Sequence, residues 1–164
     1  LWLNESFANM MEYVAVDALH PEWRMWEDFA TGEVTAALRR DSLDGVQPVQ
    51  ADVNHPDEIS TLFDPAIVYA KGGRLLVMVR RLIGEEAFRA GLKSYFEKFA
   101  YQNTVGNDLW RELETASGQP IVDLMNTWIS QPGLPIVQVE QNNSNEQPTA
   151  TLRQESIIDR KSVV

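Results

Sequence analysis

Residues 64–84, DPAIVYAKGGRLLVMVRRLIG, decide the fold predicted for this sequence. Asp64 can cap a helix, Pro65 suits its first position, and Gly84 can end it. Apolar residues cover most of the circumference of this predicted helix, and such a helix is normally buried inside a protein. They are Ile67, Val68, Leu75, Leu76, Val77, Met78, Val79 and Leu82. The segment is therefore the predicted core helix of a mainly α fold.

Helical periodicity continues on both sides of this segment. An N-terminal helix is predicted with Asn4 as its N-cap and Glu5 in its first turn, and it ends at the His20-Pro21 break. A second helical stretch, over residues 23–43, is predicted with an interruption at Gly32. The further predicted elements are a long loop over 45–61 and helices over 85–99, 107–117 and 121–130.

The pattern changes after the sequence Gln131-Pro132-Gly133. Alternating apolar and polar residues predict a β-hairpin with strands over 136–140 and 149–153, joined by a polar turn over 142–145. We expect a domain boundary near Pro132, with a helical domain over 1–132 and a second domain over 133–164. The tail over 159–164 completes no element, so the second domain is expected to be truncated.

Composition limits the classes of function. The 164 residues are 44% hydrophobic and carry a net charge of −10, which disfavours binding to nucleic acid or to an anionic membrane. The longest apolar run, residues 75–79, is too short to cross a bilayer. Cysteine is absent, so disulfides, thiolate metal sites and cysteine nucleophiles are excluded.

Two residues are candidates for chemistry, although each also has an ordinary structural interpretation. Glu5 in a first helical turn is favoured by the helix dipole alone. Tyr69 can be a core tyrosine with a satisfied hydroxyl. Gly72 and Gly73 lie on the same helical face as Tyr69, and each costs about 1 kcal/mol of helix stability relative to Ala. They leave room for a ligand, for another backbone or for close helix packing.

Two motifs favour a chemical role for Glu5 and Tyr69 over the structural interpretations. LWLNESFA, residues 1–8, resembles the segment of the zinc aminopeptidase N family that supplies the third zinc ligand, a Glu about 18 residues after HExxH. IVYAKGG, residues 67–73, resembles the YxKG segment of that family. The likeness covers roughly residues 1–140, ends with WISQPGLPIVQV, and is nearest to the bacterial cytoplasmic aminopeptidase N type.

The resemblance implies a fold and two residue roles. The fold would be the helical lobe of a thermolysin-like catalytic domain, followed by the first hairpin of a small β-sandwich-like domain. Glu5 would be a ligand of one zinc ion, and the Tyr69 hydroxyl would donate a hydrogen bond to the oxyanion formed during peptide hydrolysis. The parent protein would be a cytoplasmic zinc metallo-aminopeptidase acting on peptides with a free N-terminus.

Part of the family pattern is missing from this sequence. The two histidines, His20 and His55, do not form HExxH, and both are predicted to be surface residues. The general base and the GxMEN segment are also absent. We therefore expect the chain to be a piece cut after both motifs, without peptidase activity or tightly bound zinc. Exposed internal surface is expected to cause self-association.

Two other classes of function stay open at this point. The chain can be a non-enzymatic helical module that binds a partner protein, or a peptidase-like scaffold without a metal site. The sequence upstream of Glu5 distinguishes these two classes from a zinc peptidase. Both become preferable if the parent protein has no HExxH about 18 residues before Glu5.

Overall fold

The computed structural model describes residues 1–142 and 148–157, and this part of the protein is mainly α-helical with a C-terminal hairpin, as predicted. The elements are α1 (Trp2–Leu19), α2 (Met25–Asp28), α3 (Val34–Asp41), α4 (Gly72–Ile83), α5 (Glu85–Phe99), α6 (Gly106–Ser117), α7 (Ile121–Ser130), β1 (Pro135–Asn142) and β2 (Thr149–Ser156). Short 3₁₀ turns lie at Pro21–Trp23 and Pro56–Glu58.

The predicted core helix forms, but its first part is not α-helical. Ala66–Lys71 is a π-helical segment that runs directly into α4. Asp64 caps it as expected, because its Oδ1 accepts a hydrogen bond from the backbone N–H of Ala66 at 3.1 Å. Gly84 ends α4 with a φ of 83°, a conformation that favours glycine. Leu82 is the exception to the predicted burial, since it is 54% exposed.

The N-terminal helix begins earlier than predicted, and the assignment of Asn4 as its N-cap is wrong. The carbonyl of Leu1 already accepts hydrogen bonds from the N–H groups of Asn4 (3.1 Å) and Glu5 (3.2 Å), so α1 starts at Trp2. The Asn4 side chain instead donates to Glu5. Glu5 still lies in the first turn, as predicted.

The helical stretch predicted over 23–43 is interrupted as expected around Gly32, but by a change of helix type. A π-helical turn over Phe29–Glu33 joins α2 to α3 without a break in the helical backbone. A π turn accommodates an extra residue inside a helix. Apolar periodicity does not distinguish this turn from an α-helix, so the sequence predicted the position and not its form.

The last three helices have the predicted boundaries to within one residue. Helices α5 and α6 pack closely at Gly91, where an added Cβ would come within 2.8 Å of Leu113 Cδ2 and 3.0 Å of Leu113 Cα. Gly118 ends α6 in the left-handed conformation with φ 67°.

The core lies where α1, α4, α6 and α7 meet. Trp2 stacks on Trp110 with ring centroids 5.4 Å apart, and Trp110 is fully buried. Stacking of this kind adds about 0.5–1.5 kcal/mol beyond the burial of apolar area. The other large, fully buried side chains include Met10, Ile67, Leu76, Leu109, Leu113, Ile121, Met125 and Ile129.

The hairpin follows α7 directly. Strands β1 and β2 pair antiparallel from Pro135 opposite Ser156 to Asn142 opposite Thr149. Both predicted strands form and extend beyond the predicted bounds. Positions 143–145 of the predicted turn and the tail over 159–164 lie outside the described residues. The domain boundary near Pro132 stays a prediction. Among the helices described, none combines the length and apolarity needed to span a membrane.

Candidate active site

Glu5 and Tyr69, which are far apart in the sequence, meet in the structure. Helix α1 packs against the π-helical segment and α4, so the first turn of α1 lies beside the turn that carries Tyr69. The Glu5 carboxylate lies close enough to the Tyr69 hydroxyl to raise the pKa of Tyr69. Both side chains are partly exposed. A ligand can therefore approach this pair from solvent.

The surroundings of Tyr69 keep its hydroxyl protonated. The hydrogen bond to Glu5, partial burial and the charge of Glu5, in that order, raise the pKa of Tyr69 above its ordinary value of 10.0. The ring packs edge-on against Phe63, with centroids 5.8 Å apart and an interplanar angle of 71°. The phenol ring is thus held against Phe63, and the Glu5 carboxylate lies near its hydroxyl.

A buried hydrogen bond joins the same two elements next to this pair. Ser6, which follows Glu5, donates from Oγ to the carbonyl of Val68, which precedes Tyr69, at 2.6 Å. Gly72 makes this contact possible, because a Cβ at position 72 would overlap the Ser6 side chain. Gly73 faces the backbone of Ser6, since a Cβ added at position 73 would lie 3.6 Å from the Ser6 carbonyl oxygen. The room left by the two glycines is therefore occupied by α1.

Helix α3 holds both ends of the π-helical segment. At its start, Arg40 pairs with Asp64, and Asp64 also caps the segment. At its end, Lys71 pairs with Asp41 at 2.7 Å, and both side chains are buried, with 9% and 4% exposed. Buried ion pairs need further hydrogen bonds to offset desolvation.

Lys71 and Asp41 obtain these bonds from the segment that leads to the hairpin. Lys71 Nζ donates to the carbonyls of Gln131 (3.3 Å) and Gly133 (3.0 Å). Asp41 Oδ1 accepts from the N–H of Gly133 at 2.9 Å. The ion pair therefore links the π-helical segment to α3 and to the start of the hairpin.

Both histidines are exposed, as predicted. The His20 ring stacks on Trp23 with centroids 4.2 Å apart. His55 Nδ1 accepts a hydrogen bond from the N–H of Asp57 and caps a 3₁₀ turn. Each ring has a local structural role at the surface.

Near Tyr69, the described residues offer a single candidate metal ligand, Glu5. Within residues 1–142 and 148–157, no group of three His, Cys, Asp or Glu side chains is placed to hold a metal ion. Glu5 offers a partly exposed carboxylate, which is a chemically suitable zinc ligand. A catalytic zinc requires three protein ligands, so the other donors have to come from outside these residues.

Comparison with known proteins decides the family. Residues 1–128 match the sequence model of the peptidase family M1 domain. The chain belongs to peptidase family M1. This confirms the resemblance found in residues 1–8 and 67–73.

Several known proteins are similar to this M1 chain over most of its length. Aminopeptidase N of Lactobacillus delbrueckii subsp. lactis is 60% identical over 137 residues, which is 84% of this chain and 16% of that protein. Aminopeptidase M1-A of Oryza sativa subsp. japonica is 45% identical over 140 residues, 85% of the chain and 16% of the relative. The Tricorn protease-interacting factor F2 of Thermoplasma volcanium is 43% identical over 144 residues, which is 88% of this chain and 18% of that protein. The chain thus spans about one sixth of the length of these curated relatives.

The sequence did not single out Ser6, Lys71 or Asp41. Lys71, placed directly after the run AIVYA (residues 66–70), was the one available signal, since a charged residue is almost never buried without a partner. The partner itself, Asp41, could not be identified without the fold. Ser6 gave no signal, because serine is common in the first turns of helices.

Proposed function

We propose that this M1 chain forms part of the active site of a zinc aminopeptidase that removes N-terminal residues from peptides. The observation that carries the proposal is the proximity of the Glu5 carboxylate to the Tyr69 hydroxyl, on two packed segments that each match a family motif. Family membership and the names of the similar proteins support the same activity.

Glu5 is proposed as one ligand of the zinc ion. Its carboxylate lies in the first turn of α1, and the turn is held by a buried hydrogen bond from the neighbouring Ser6. A ligand on a rigid element keeps its geometry when substrate binds. Zinc, when bound, supplies a Lewis acid for the scissile carbonyl.

Tyr69 is proposed as the donor to the carbonyl oxygen of the scissile peptide bond. The hydroxyl keeps its proton at neutral pH, and the ring is held against Phe63. As the carbonyl carbon is attacked, negative charge develops on this oxygen, and a hydrogen bond placed there is stronger in the transition state than in the ground state.

The 164-residue sequence has no HExxH, so it contains neither the remaining zinc ligands nor the general base of the family pattern. We propose that this chain alone has no peptidase activity, and that the whole protein is cytoplasmic and acts on peptides with a free N-terminus. The resemblance to the bacterial cytoplasmic type supports that location, and the lack of cysteine is compatible with it.

Two substitutions in the whole enzyme test the two roles separately. Glu5→Gln should lose zinc, measured by metal analysis, and activity with it. Tyr69→Phe should retain zinc and lose turnover by about 10²- to 10³-fold. Glu12→Gln on the exposed side of α1 and Tyr101→Phe, whose side chain is fully exposed, are matched controls that should leave both measurements unchanged.

Wild-type turnover in either Glu5→Gln or Tyr69→Phe contradicts the proposal. A whole protein without HExxH about 18 residues before Glu5 also contradicts it and favours a peptidase-like scaffold without metal.

A further inference from the structure

The Ser6 hydroxyl is the buried polar group nearest in sequence to the proposed zinc ligand. Its side chain is 0% exposed, and its Oγ lies 2.6 Å from the carbonyl oxygen of Val68. Each partner is the direct neighbour of a site residue, Ser6 of Glu5 and Val68 of Tyr69. The bond therefore crosses between the two elements at the point where the site residues meet.

The backbone that accepts this bond is π-helical. A π turn replaces the i→i+4 backbone pattern with i→i+5 bonds and is seldom stable without support from its surroundings. A serine hydroxyl from α1 supplies such support, because a carbonyl oxygen can accept a second hydrogen bond. Gly72 provides the space that the hydroxyl occupies.

The contacts with α3 do not replace this bond. Arg40 and Lys71 tie the ends of the π-helical segment to α3, and α3 carries neither Glu5 nor Tyr69. These contacts locate the segment relative to α3. The bond from Ser6 relates it directly to the helix that carries Glu5.

We propose that Ser6 is a positioning residue for the proposed reaction: its hydroxyl sets the placement of Tyr69 relative to Glu5. The inference rests on the proposed function, since it assigns Ser6 an effect that acts through Tyr69. A displacement of about 1 Å at a reacting group can cost up to about 10²-fold in rate. Loss of one orienting bond is expected to cost on the order of 10-fold.

The test is a double-mutant cycle in the whole enzyme. Ser6→Ala should lower kcat by roughly 10-fold while KM and zinc content stay near wild type. In a Tyr69→Phe background, Ser6→Ala should cause no further loss, because the group that it positions is already gone. Ser117→Ala is the matched control: it removes a 2.7 Å bond from a serine hydroxyl to the carbonyl of Leu113, on α6.

Ser6→Gly combined with Gly72→Ala provides a second variant that removes the hydroxyl but returns a methyl group to the same space. It should show the same loss of kcat as Ser6→Ala. Hydrogen exchange of the amides over residues 66–71 gives a readout independent of activity. Exchange there should accelerate in Ser6→Ala and not in Ser117→Ala.

The outcomes separate the two proposals. Wild-type kcat in Ser6→Ala, an equal loss in the Tyr69→Phe background, or unchanged exchange over 66–71 overturns the role of Ser6 and leaves the proposed function standing. If Tyr69→Phe itself keeps full turnover, the proposed function fails first, and the role of Ser6 fails with it.

Discussion

Gly72 lies so close to Ser6 that a Cβ at position 72 would overlap Ser6 Oγ and come within 2.8 Å of Ser6 Cβ. The contact is buried between α1 and the start of α4. A Cβ at the next glycine, Gly73, would make only ordinary contacts, the nearest at 3.6 Å. Adjacent glycines in one helix thus meet different constraints.

Gly72→Ala should destabilise the chain by about 1–3 kcal/mol, because α1 must move away from α4. Gly73→Ala should be neutral or stabilise it by up to about 1 kcal/mol, since alanine is the better helix former. Urea unfolding followed by circular dichroism measures both. Equal effects of the two substitutions would contradict the conclusion that only Gly72 is required for the close packing of α1 on α4.

Lys71→Met should cost about 3–5 kcal/mol, since it leaves the buried Asp41 carboxylate without its counter-ion. Adding Asp41→Asn removes that charge and should recover part of the loss. Lys93→Met, which breaks an exposed pair with Glu97, is the control and should cost less than about 1 kcal/mol. Denaturation midpoints of the four proteins report these differences. A Lys71→Met chain as stable as the control variant would refute the role of the ion pair.

The link between α5 and α6 should weaken in acid. Hydrogen bonds from Lys98 and Ser94, and then the charge of Lys98, lower the pKa of Glu112 below 4.5, while burial opposes this effect. A folded pKa below the unfolded one means that the stabilisation is fully present above about pH 4.5 and is lost as the pH falls through the lowered pKa.

Lys98→Met should therefore reduce the free energy of unfolding at pH 7 by about 1 kcal/mol or less, because Lys98 is 60% exposed and the pair is screened by water and salt. The difference from wild type should shrink at acidic pH below 4.5. Repeating the comparison in a Glu112→Gln background is the control. A pH-dependent difference that persists there would exclude Glu112 as its source.

The chain alone should not bind zinc tightly. Glu5 is a single carboxylate, and one oxygen donor holds this borderline-soft ion poorly. Isothermal calorimetry of the chain with zinc chloride should give no submicromolar, stoichiometric site. Such a site, abolished by Glu5→Gln, would show that further donors are present.

Self-association of the chain is expected because large apolar side chains are exposed. Leu19 is 75% exposed, Trp23 57% and Phe96 55%. Exposed apolar surface of this kind promotes association when it forms contiguous patches. Light scattering over a range of concentrations should show a rising mean mass. A constant monomer mass at high concentration would contradict the prediction.

Local signals were sufficient to predict much of the helical framework. Asp64 and Gly84 bound the central helix, because capping and a positive φ strongly favour particular residue types. The first turn of α1 shows the limit of such reasoning: Asn4 is a good N-cap residue, yet the helix starts at Trp2, where no side chain caps it. More than one residue could begin α1 on local grounds. The start at Trp2 is accompanied by the packing of Trp2 against Trp110.

The candidate pair was predicted from motifs, and its supports were not. Glu5 and Tyr69 lie in segments whose sequences are distinctive, whereas Ser6, Asp41 and Lys71 act through contacts with residues distant in the chain. The π-helical turns were also missed, because residue type alone does not show where a helix takes up an extra residue in one turn.

Arg40 and Asp41 are consecutive residues of α3 that hold opposite ends of the π-helical segment. One residue inserted or deleted within α3 would turn both side chains by about 100° around the helix axis and release both contacts together. The 43–55 region follows these anchors and contains no helix or strand. Natural variation in length should therefore accumulate after Asp41, while the spacing within α3 stays constant.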